Sequence, residues 1–183
     1  DITKEEEQQE KLEQAKERFQ QAEKYTHMGS WEWDLKTNQM TWSDEMYRIM
    51  GLRPHAIEPT REYMVQQIHP DDQERAEKLM RDTIKTGKEN NIEKRIVRAN
   101  GTVRYIHSIA HLIRDKEGKP INITGSFLDQ TEEKIAEANL RFSEERFRSA
   151  FEGSDVGMAL ISPNKEGHIF QVNTAFTHML GYS

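Results

Sequence analysis

The chain has 183 residues, of which 32% are charged and 34% belong to the hydrophobic set, which is polar for a globular protein but leaves enough apolar residues for one packed domain. The net charge of -6 argues against a nucleic-acid partner, and no apolar run approaches the roughly 18 residues that cross a bilayer, so we expect no membrane contact. Because the sequence contains no cysteine, disulfides and thiol chemistry are excluded, and a reducing compartment fits.

Two segments without glycine or proline predict helices, at residues 4–27 and at residues 132–151. Both are rich in Glu, Gln, Lys and Ala, which favour helix. Gly29 is predicted to end the first helix. Apolar residues at three- and four-residue spacing form a short heptad seam in each segment, which is typical of helices that pair. The predicted seam residues are Leu12, Phe19, Leu140 and Phe147.

The segment between these helices predicts strands and short helices in a mixed order. Alternation of Trp31 and Trp33 with acidic residues indicates a half-buried strand, and Asn100-Gly101 is a strong hairpin signal. Short helices are expected after Ser43, from Thr60 to Ile68 and from Pro70 to Gly87. The predicted strands are Trp31–Asp34, Gln39–Trp42, Asn91–Arg98, Thr102–Arg114 and Ile121–Asp129.

The sequence also repeats itself. Residues 1–3 (Asp-Ile-Thr) resemble residues 129–131 (Asp-Gln-Thr) at an offset of 128, and the Glu-Arg-Phe of residues 17–19 returns at residues 145–147. The offset later becomes 130, which predicts a two-residue insertion at Pro163–His168. The predicted repeat unit is therefore a helix followed by a mixed domain.

Several motifs, in this order and spacing, resemble the PAS family. One of them points to a subclass with the sequence His-Pro-Asp-Asp, and the last resembles the family's terminal Asp-Ile-Thr, with Gln130 in place of the usual aliphatic residue. Residues 143–151 resemble the run that leads into a following PAS domain. The motifs are Gly29–Asp34, Trp42–Gly51, His69–Asp72, Arg98–Ile106 and Asp129–Thr131.

The resemblance implies an α+β fold, with a five-stranded antiparallel sheet, short helices on one face, and coiled-coil-type signalling helices at both ends. It places a complete PAS domain at residues 29–131, between a signalling helix at 1–28, which would follow a preceding PAS domain, and an exit helix at 132–152. Residues 153–183 are expected to be the truncated start of a second PAS domain. The implied protein is a cytoplasmic sensor, or the cytoplasmic part of a membrane-anchored receptor. Its output domain would be a histidine kinase or, alternatively, a diguanylate cyclase, and we expect no catalytic residue or enzyme activity in this chain.

Aromatic and methionine side chains could line a ligand cavity in the complete domain, because methionine adapts to irregular space. Trp33 or Trp42 could stack on a non-covalent flavin or another small organic ligand, whereas a cysteinyl-flavin adduct is excluded. His69 is the histidine that could hold haem, but its place in the motif favours a structural role, and no metal site is expected. The alternative is a fully packed core. The cavity candidates are Trp33, Trp42, Met46, Met50, Tyr63, Met80, Tyr105 and Phe127.

Asp129 and Thr131 are the predicted relay residues, since they lie where the last strand becomes the exit helix and can hydrogen-bond to each other or to the sheet. The expected assembly is a parallel homodimer through the helices. Neighbouring PAS and output domains are the other expected partners. Two functions stay open: a sensor or relay module, and a purely structural dimerisation or spacer module. A pocket large enough for a small molecule would favour the sensor.

Residues 153–183 contain apolar side chains that three further strands of a complete domain would cover. Left bare, they would form an apolar patch beside an open strand edge. We expect them to pack on a partner chain or on the complete domain. The patch comprises Met158, Leu160, Ile161, Phe170, Val172, Phe176, Met179 and Leu180.

Overall fold

The computed structural model describes residues 2–162 and 167–181, with side chains described from residue 5 onward. Asp1 of the N-terminal motif, most of the predicted insertion at Pro163–His168, and Tyr182 lie outside the described residues. The chain divides into two compact units, Asp1–Glu132 and Glu133–Ser183. None of the helices in the described part of the chain combines the length and the apolar character needed to cross a membrane.

The helices and strands follow the predicted order, with boundaries that differ by a few residues. The helices are α1 (Ile2–Thr26), α2 (Asp44–Ile49), α3 (Arg61–Gln66), α4 (Pro70–Thr86), α5 (Thr131–Glu152) and α6 (Thr174–Met179). The strands are β1 (Met28–Asp34), β2 (Met40–Trp42), β3 (Asn90–Val97), β4 (Val103–Arg114), β5 (Pro120–Asp129), β6 (Ala159–Ile161) and β7 (Ile169–Val172).

Strands β1–β5 form one antiparallel sheet in the order β2-β1-β5-β4-β3. The prediction of an α+β fold with a five-stranded antiparallel sheet is thus confirmed. The Asn100-Gly101 turn joins β3 to β4, and Gly101 has a φ of 81°, which suits glycine because it has no Cβ. The central strand of the sheet is β5. Its neighbour β1 follows α1 directly, so the end of β5 lies next to the end of α1.

The core of the first unit lies between one face of this sheet and the short helices. Side chains that alternate along each strand point to this face, as a pleated strand requires. Each fully buried large apolar side chain contributes roughly 1.5–3 kcal/mol, so this cluster is the main source of stability. The most deeply buried apolar members are Met46, Met50, Ile96, Ile106, Ile123 and Phe127.

Helix α1 ends earlier than the sequence predicts. It stops at Thr26, and His27 adopts a left-handed φ of 52°, so the prediction that Gly29 ends the helix is wrong. The reason is strand pairing: β1 already pairs with β5 at Met28, opposite Leu128. Gly29 instead permits a close approach, because a Cβ there would lie 2.5 Å from the Cα of Met46 in α2.

The second unit contains α5, the β6–β7 hairpin and α6, which is the same order of elements as α1, the β1–β2 hairpin and α2. The hydrogen bonds that cap α2 and α6 also match. Asn173 caps α6 and accepts from the backbone N–H groups of Met158 and Phe176 at 2.8 and 3.0 Å. Ser43 caps α2 in the same way, accepting from the N–H groups of Ser30 and Met46. Ser43 and Asn173, which the repeat aligns, therefore accept equivalent hydrogen bonds in the two units.

Candidate functional sites

The Asp129–Thr131 junction joins the sheet to α5 through hydrogen bonds to side chains and backbone. The Thr131 hydroxyl donates to Oδ1 of Asp129, and the Thr131 N–H donates to the same oxygen at 3.0 Å. The Tyr105 N–H of β4 donates to the Thr131 hydroxyl at 2.9 Å, and the Gln130 N–H donates to the Tyr105 carbonyl at 2.9 Å. The first turn of α5 is thereby fixed to both β5 and β4.

The same junction also contacts the end of α1. The Asp129 N–H donates to the His27 carbonyl at 3.0 Å, and the other carboxylate oxygen lies 3.6 Å from the Arg104 guanidinium. An open polar groove of about 220 Å³ lies beside it, and Glu45 and Arg98 are among its lining residues. One aspartate therefore contacts the residue that ends α1, the sheet and the residue that begins α5.

Helix α1 is attached to the sheet by a second polar contact that the sequence did not indicate. Glu23 is buried, with 2% of its surface exposed, although every neighbouring residue of α1 is solvent-exposed. Its Oε1 accepts from the Ser30 hydroxyl of β1 at 2.6 Å. The repeat offset pairs Glu23 with Phe151, which is buried in the second unit. Position 23 thus anchors the last turns of α1.

The His-Pro-Asp-Asp motif begins α4 and fixes it to β3. The His69 ring accepts from the Asp71 N–H at 3.3 Å, which makes His69 the N-cap. Asp72 accepts from the Arg95 backbone N–H at 2.8 Å and from its guanidinium at 3.0 Å. These bonds to Arg95 lower the pKa of Asp72 below its usual value. The motif therefore has the structural role that the sequence favours for His69.

A small cavity lies between the sheet and helices α3 and α4. Its volume is about 20 Å³, which is space for roughly one water molecule. Trp31 and Trp33 from β1 form one wall, and Met64 and Met80 from the helices form the other. The Trp31 ring packs closely on Gly125 of β5, because a Cβ on Gly125 would lie 2.5 Å from the ring. Organic ligands usually occupy pockets of about 300–1,000 Å³, so a flavin would have to displace these side chains.

The structure places the predicted cavity residues in the cavity wall, in or against the packed core, or on the opposite face of the sheet. Trp33 and Met80 line the cavity, whereas Tyr63 only packs against the surrounding core. Tyr105 is 42% exposed on the opposite face of the sheet, so the expectation that it lines a cavity is corrected. Its neighbours Ile106 and Ser108 show why, since alternate residues of β4 point inward. The members of the packed core are Trp42, Met46, Met50 and Phe127.

Sequence reasoning missed the polar groups that face this cavity. Asn90 and Lys94 lie in the inward-facing positions of β3, together with Ile92 and Ile96. The signal was present as period-2 alternation in which polar residues occupy two of the four inward positions. The Lys94 amine lies 4.4 Å from the centre of the Phe127 ring. Burial, with a smaller contribution from nearby Arg75, lowers the pKa of Lys94 to about 8.

The predicted seam residues are exposed on their helices. The exposed fractions are 63% for Leu12, 55% for Phe19, 62% for Leu140 and 50% for Phe147. Phe147 also stacks on Phe151 at 5.5 Å. Large apolar side chains at regular spacing on a charged helix are available for a partner helix.

The apolar side chains of the second unit are largely exposed in the single chain. Phe170 is 63% and Met179 68% exposed. The expectation that this patch is shielded therefore stays a prediction. Other large apolar residues exposed in this unit are Val156, Met158, Ile161, Ile169 and Leu180.

Comparisons with known proteins agree with this architecture. The family described as PAS fold matches residues 39–127, and the family described as PAS domain matches residues 145–183. A crystal structure titled as a sensory box histidine kinase/response regulator from Burkholderia thailandensis E264 is 30% identical, with a TM-score of 0.58. The matched region covers 72% of this chain and 98% of that one.

Two longer relatives are named as a sensor protein and as a diguanylate cyclase. Sensor protein FixL of Bradyrhizobium diazoefficiens is 30% identical over 159 residues, which are 85% of this chain and 30% of that protein. The Escherichia coli K12 protein named "Probable diguanylate cyclase DgcE" is 28% identical over 170 residues, which are 93% of this chain and 15% of that protein. The chain thus spans less than a third of each relative.

Proposed function

This chain belongs to the PAS family and is a sensory signal-transduction module, and from that premise we propose that its first unit relays conformational change from α1 to α5 through the Asp129–Thr131 junction. The single observation that carries the proposal is the position of Asp129. Its backbone bonds to the residue that ends α1, and its carboxylate bonds to the residue that begins α5. A shift of β5 relative to β1 or β4 would therefore change the direction of α5.

The test removes the junction side chains one at a time in the full-length protein. Asp129→Ala and Thr131→Ala should each leave the domain folded, at a cost of about 1–2 kcal/mol for lost hydrogen bonds. Output activity should change several-fold in both variants, because the first turn of α5 loses its attachment to the sheet. The measurements are output activity in the full-length protein and the unfolding free energy of the module.

Asp115→Ala is the matched control. Asp115 also accepts two backbone N–H bonds, at 3.0 and 2.8 Å, but it lies in the β4–β5 turn at the other end of these strands. It should lose similar stability without a change in output. Unchanged output in both junction variants, or an equal change in the control, would rule out the relay.

The output domain and the arrangement of neighbouring domains are further parts of the proposal. The 30% identity to the Burkholderia protein, which is named as a histidine kinase/response regulator, supports a histidine kinase, whereas the relative named as a diguanylate cyclase supports the alternative output. We propose a tandem PAS arrangement in the cytoplasm, with no catalysis by these residues. The repeated cap geometry of Ser43 and Asn173 supports the tandem arrangement.

A spacer that transmits movement produced elsewhere is the second candidate. The cavity of about 20 Å³ favours it, because a packed core has little space for a ligand. The two functions differ in a direct measurement. A spacer keeps its stability and spectra unchanged across small-molecule additives, whereas a sensor responds to at least one of them.

A further inference from the structure

The starting observation is a lysine in the middle of an apolar wall. Lys94 is 8% exposed, its amine borders the cavity, and within the described residues it forms no hydrogen bond or ion pair. Its amine lies over the face of the Phe127 ring, 4.4 Å from the ring centre. A buried ammonium group without a counter-ion is costly, and groups that break the local pattern concentrate at functional sites.

Two other polar side chains of the cavity lining lack hydrogen-bond partners. Trp31 and Asn90 are each 3% exposed, and the Trp31 indole N–H and the Asn90 side-chain oxygen have no hydrogen-bond partner among the described protein atoms. Buried polar groups are nearly always satisfied, and these two atoms, together with the Lys94 amine, make three polar groups that a ligand could contact. Two of them, the ammonium and the indole N–H, are donors suited to an anion.

The charges around the cavity favour a single negative charge. Arg75 acts on the Lys94 amine by repulsion, so the local potential is positive. Glu77, the carboxylate among the lining residues, lies 3.8 Å from Arg61, which also lines the cavity, and 3.6 Å from Arg81. One unpaired ammonium balances one anionic charge, and a dianion would leave a buried charge uncompensated.

We propose that this cavity binds a short-chain monocarboxylate, whose carboxylate pairs with the Lys94 ammonium and whose hydrocarbon part lies between Trp33 and Met80. The space for one water limits the ligand to a few heavy atoms, and flexible Met64 and Met80 can move to admit its methylene groups. The inference rests on the proposed sensory function, and it adds the chemical class of the ligand.

The test is an NMR titration of the ¹⁵N-labelled 183-residue chain with propionate. The indole N–H of Trp31 should shift and saturate, because it faces the ligand. The indole N–H of Trp42 is also buried and without a partner but lies outside the cavity lining, so it is the internal reference. Propionamide, of the same shape without the charge, and nitrate, an inorganic anion, are added separately at equal ionic strength.

Lys94→Met keeps the length of the side chain and removes its charge, so affinity for propionate should fall about tenfold or more. Lys116→Met, an exposed lysine in the β4–β5 turn, should bind as the unaltered chain does. Affinity in the unaltered chain should also fall about tenfold per pH unit above roughly pH 8.5, since the amine loses its proton. The other charged groups facing the amine are Arg61 of α3 and Arg75 and Glu77 of α4, residue types that keep their charge in this range.

Saturable shifts with propionate but not with propionamide or nitrate, lost in Lys94→Met, support the proposal. It is overturned if propionate leaves Trp31 unchanged, if propionamide or nitrate binds as well, or if Lys94→Met binds equally. Should Lys94→Met fail to fold, the amide comparison and the pH dependence in the unaltered chain decide the matter. Binding is measured without any output domain, so failure here leaves the Asp129–Thr131 relay to its own test.

Discussion

At the residue scale, two charged side chains of β3 differ in how their charge is compensated. The half-buried Arg95 guanidinium forms two hydrogen bonds with Asp72 and fixes a helix to the sheet, so its charge is compensated. Lys94, on the other face of the same strand, is buried with the Phe127 ring beside its amine and with no ion pair among the described residues. Burial with compensation stabilises the fold, whereas burial without it lowers stability in the empty state and is retained where a ligand supplies the missing charge.

The lowered pKa of Lys94 makes a prediction for stability. Between about pH 8 in the folded state and 10.5 in the unfolded state, the unfolded chain binds more protons, so stability rises with pH through this window. Below about pH 8 the free-energy cost of burying the charged Lys94 amine is fully present. Lys94→Met should therefore raise the unfolding free energy at pH 7 by about 1–3 kcal/mol, and the gain should shrink toward pH 10.5.

Urea unfolding at pH 7, 8.5 and 10 measures this difference. Lys116→Met should stay within about 0.5 kcal/mol of the unaltered chain at each pH, as exposed substitutions do. A Lys94→Met variant that is less stable at pH 7, or a gain independent of pH, would contradict the predicted cost of the buried charge.

The Asp72–Arg95 pair predicts that stability also rises with pH, but in a much lower pH range and through a stabilising contribution. Because bonds to Arg95 lower the folded-state pKa of Asp72, its contribution is fully present above the ordinary value of 3.8 and is lost as pH falls through the lower folded value. Asp72→Ala should cost about 2–3 kcal/mol at pH 7, from lost charged hydrogen bonds. Asp71→Ala is the matched control, since Asp71 contacts the same guanidinium at 3.2 Å but its side chain is 69% exposed. In thermal or urea unfolding, Asp71→Ala should lower the unfolding free energy by less than about 1 kcal/mol. Equal losses in the two variants would count against the structural role of the motif.

At the element scale, attachment to β1 distinguishes the end of α1 from the rest of the helix. Residues 5–22 are exposed throughout, and isolated helices of this kind are marginal in water. Glu23 and His27 supply the contacts to the sheet that the earlier turns lack. The last turns of α1 are thus part of the domain, and we expect the earlier ones to need a partner for stability.

Removing the Glu23 anchor should release the end of α1 without unfolding the sheet. Glu23→Ala deletes the bond to Ser30, so amide hydrogen exchange in the last two turns should become at least about tenfold faster, as expected for about 1.4 kcal/mol. Exchange in β4 and β5 should stay unchanged. Glu17→Ala, on the exposed part of the helix, is the control and should not alter exchange near residue 26. Equal exchange in both variants would show that Glu23 does not anchor the helix.

At the scale of the whole molecule, the exposed seam predicts assembly. A parallel homodimer would bury Leu12 and Phe19 against their counterparts, and symmetric association is the common form for such helices. Phe19→Glu places a charge in that contact, so the dimer dissociation constant should rise at least about tenfold, as measured by light scattering over a dilution series. Tyr25→Glu alters an aromatic residue that is 82% exposed on the same helix but outside the seam, and it should leave the mass unchanged. A Phe19→Glu protein with the mass of the unaltered chain would refute the seam.

The fold could be predicted from the sequence because its signals are local. Period-2 alternation at Trp31 and Trp33, the turn at Asn100-Gly101 and the cap at Ser43 each act within a few residues, and each lies where it was expected. The hydrogen bonds between Asp129 and Thr131 were also predictable, since these residues are two apart in the chain. The cavity was not, because its walls come from β1, β3, α3 and α4.

The sequence by itself determined the order of strands and helices, the repeated unit and the polar residues of the junction, all of which depend on near neighbours in the chain. Only the tertiary structure decided where α1 ends, because pairing between Met28 and Leu128 outweighs the helix propensity of residues that precede Gly29. It also decided which face of the sheet each residue occupies, which removed Tyr105 from the cavity and placed Lys94 in it. Burial of Glu23 arises from contacts across separate elements, and no local pattern in the sequence marks it. For Lys94, period-2 alternation marks the inward position, but only the tertiary structure shows that this residue lines a cavity.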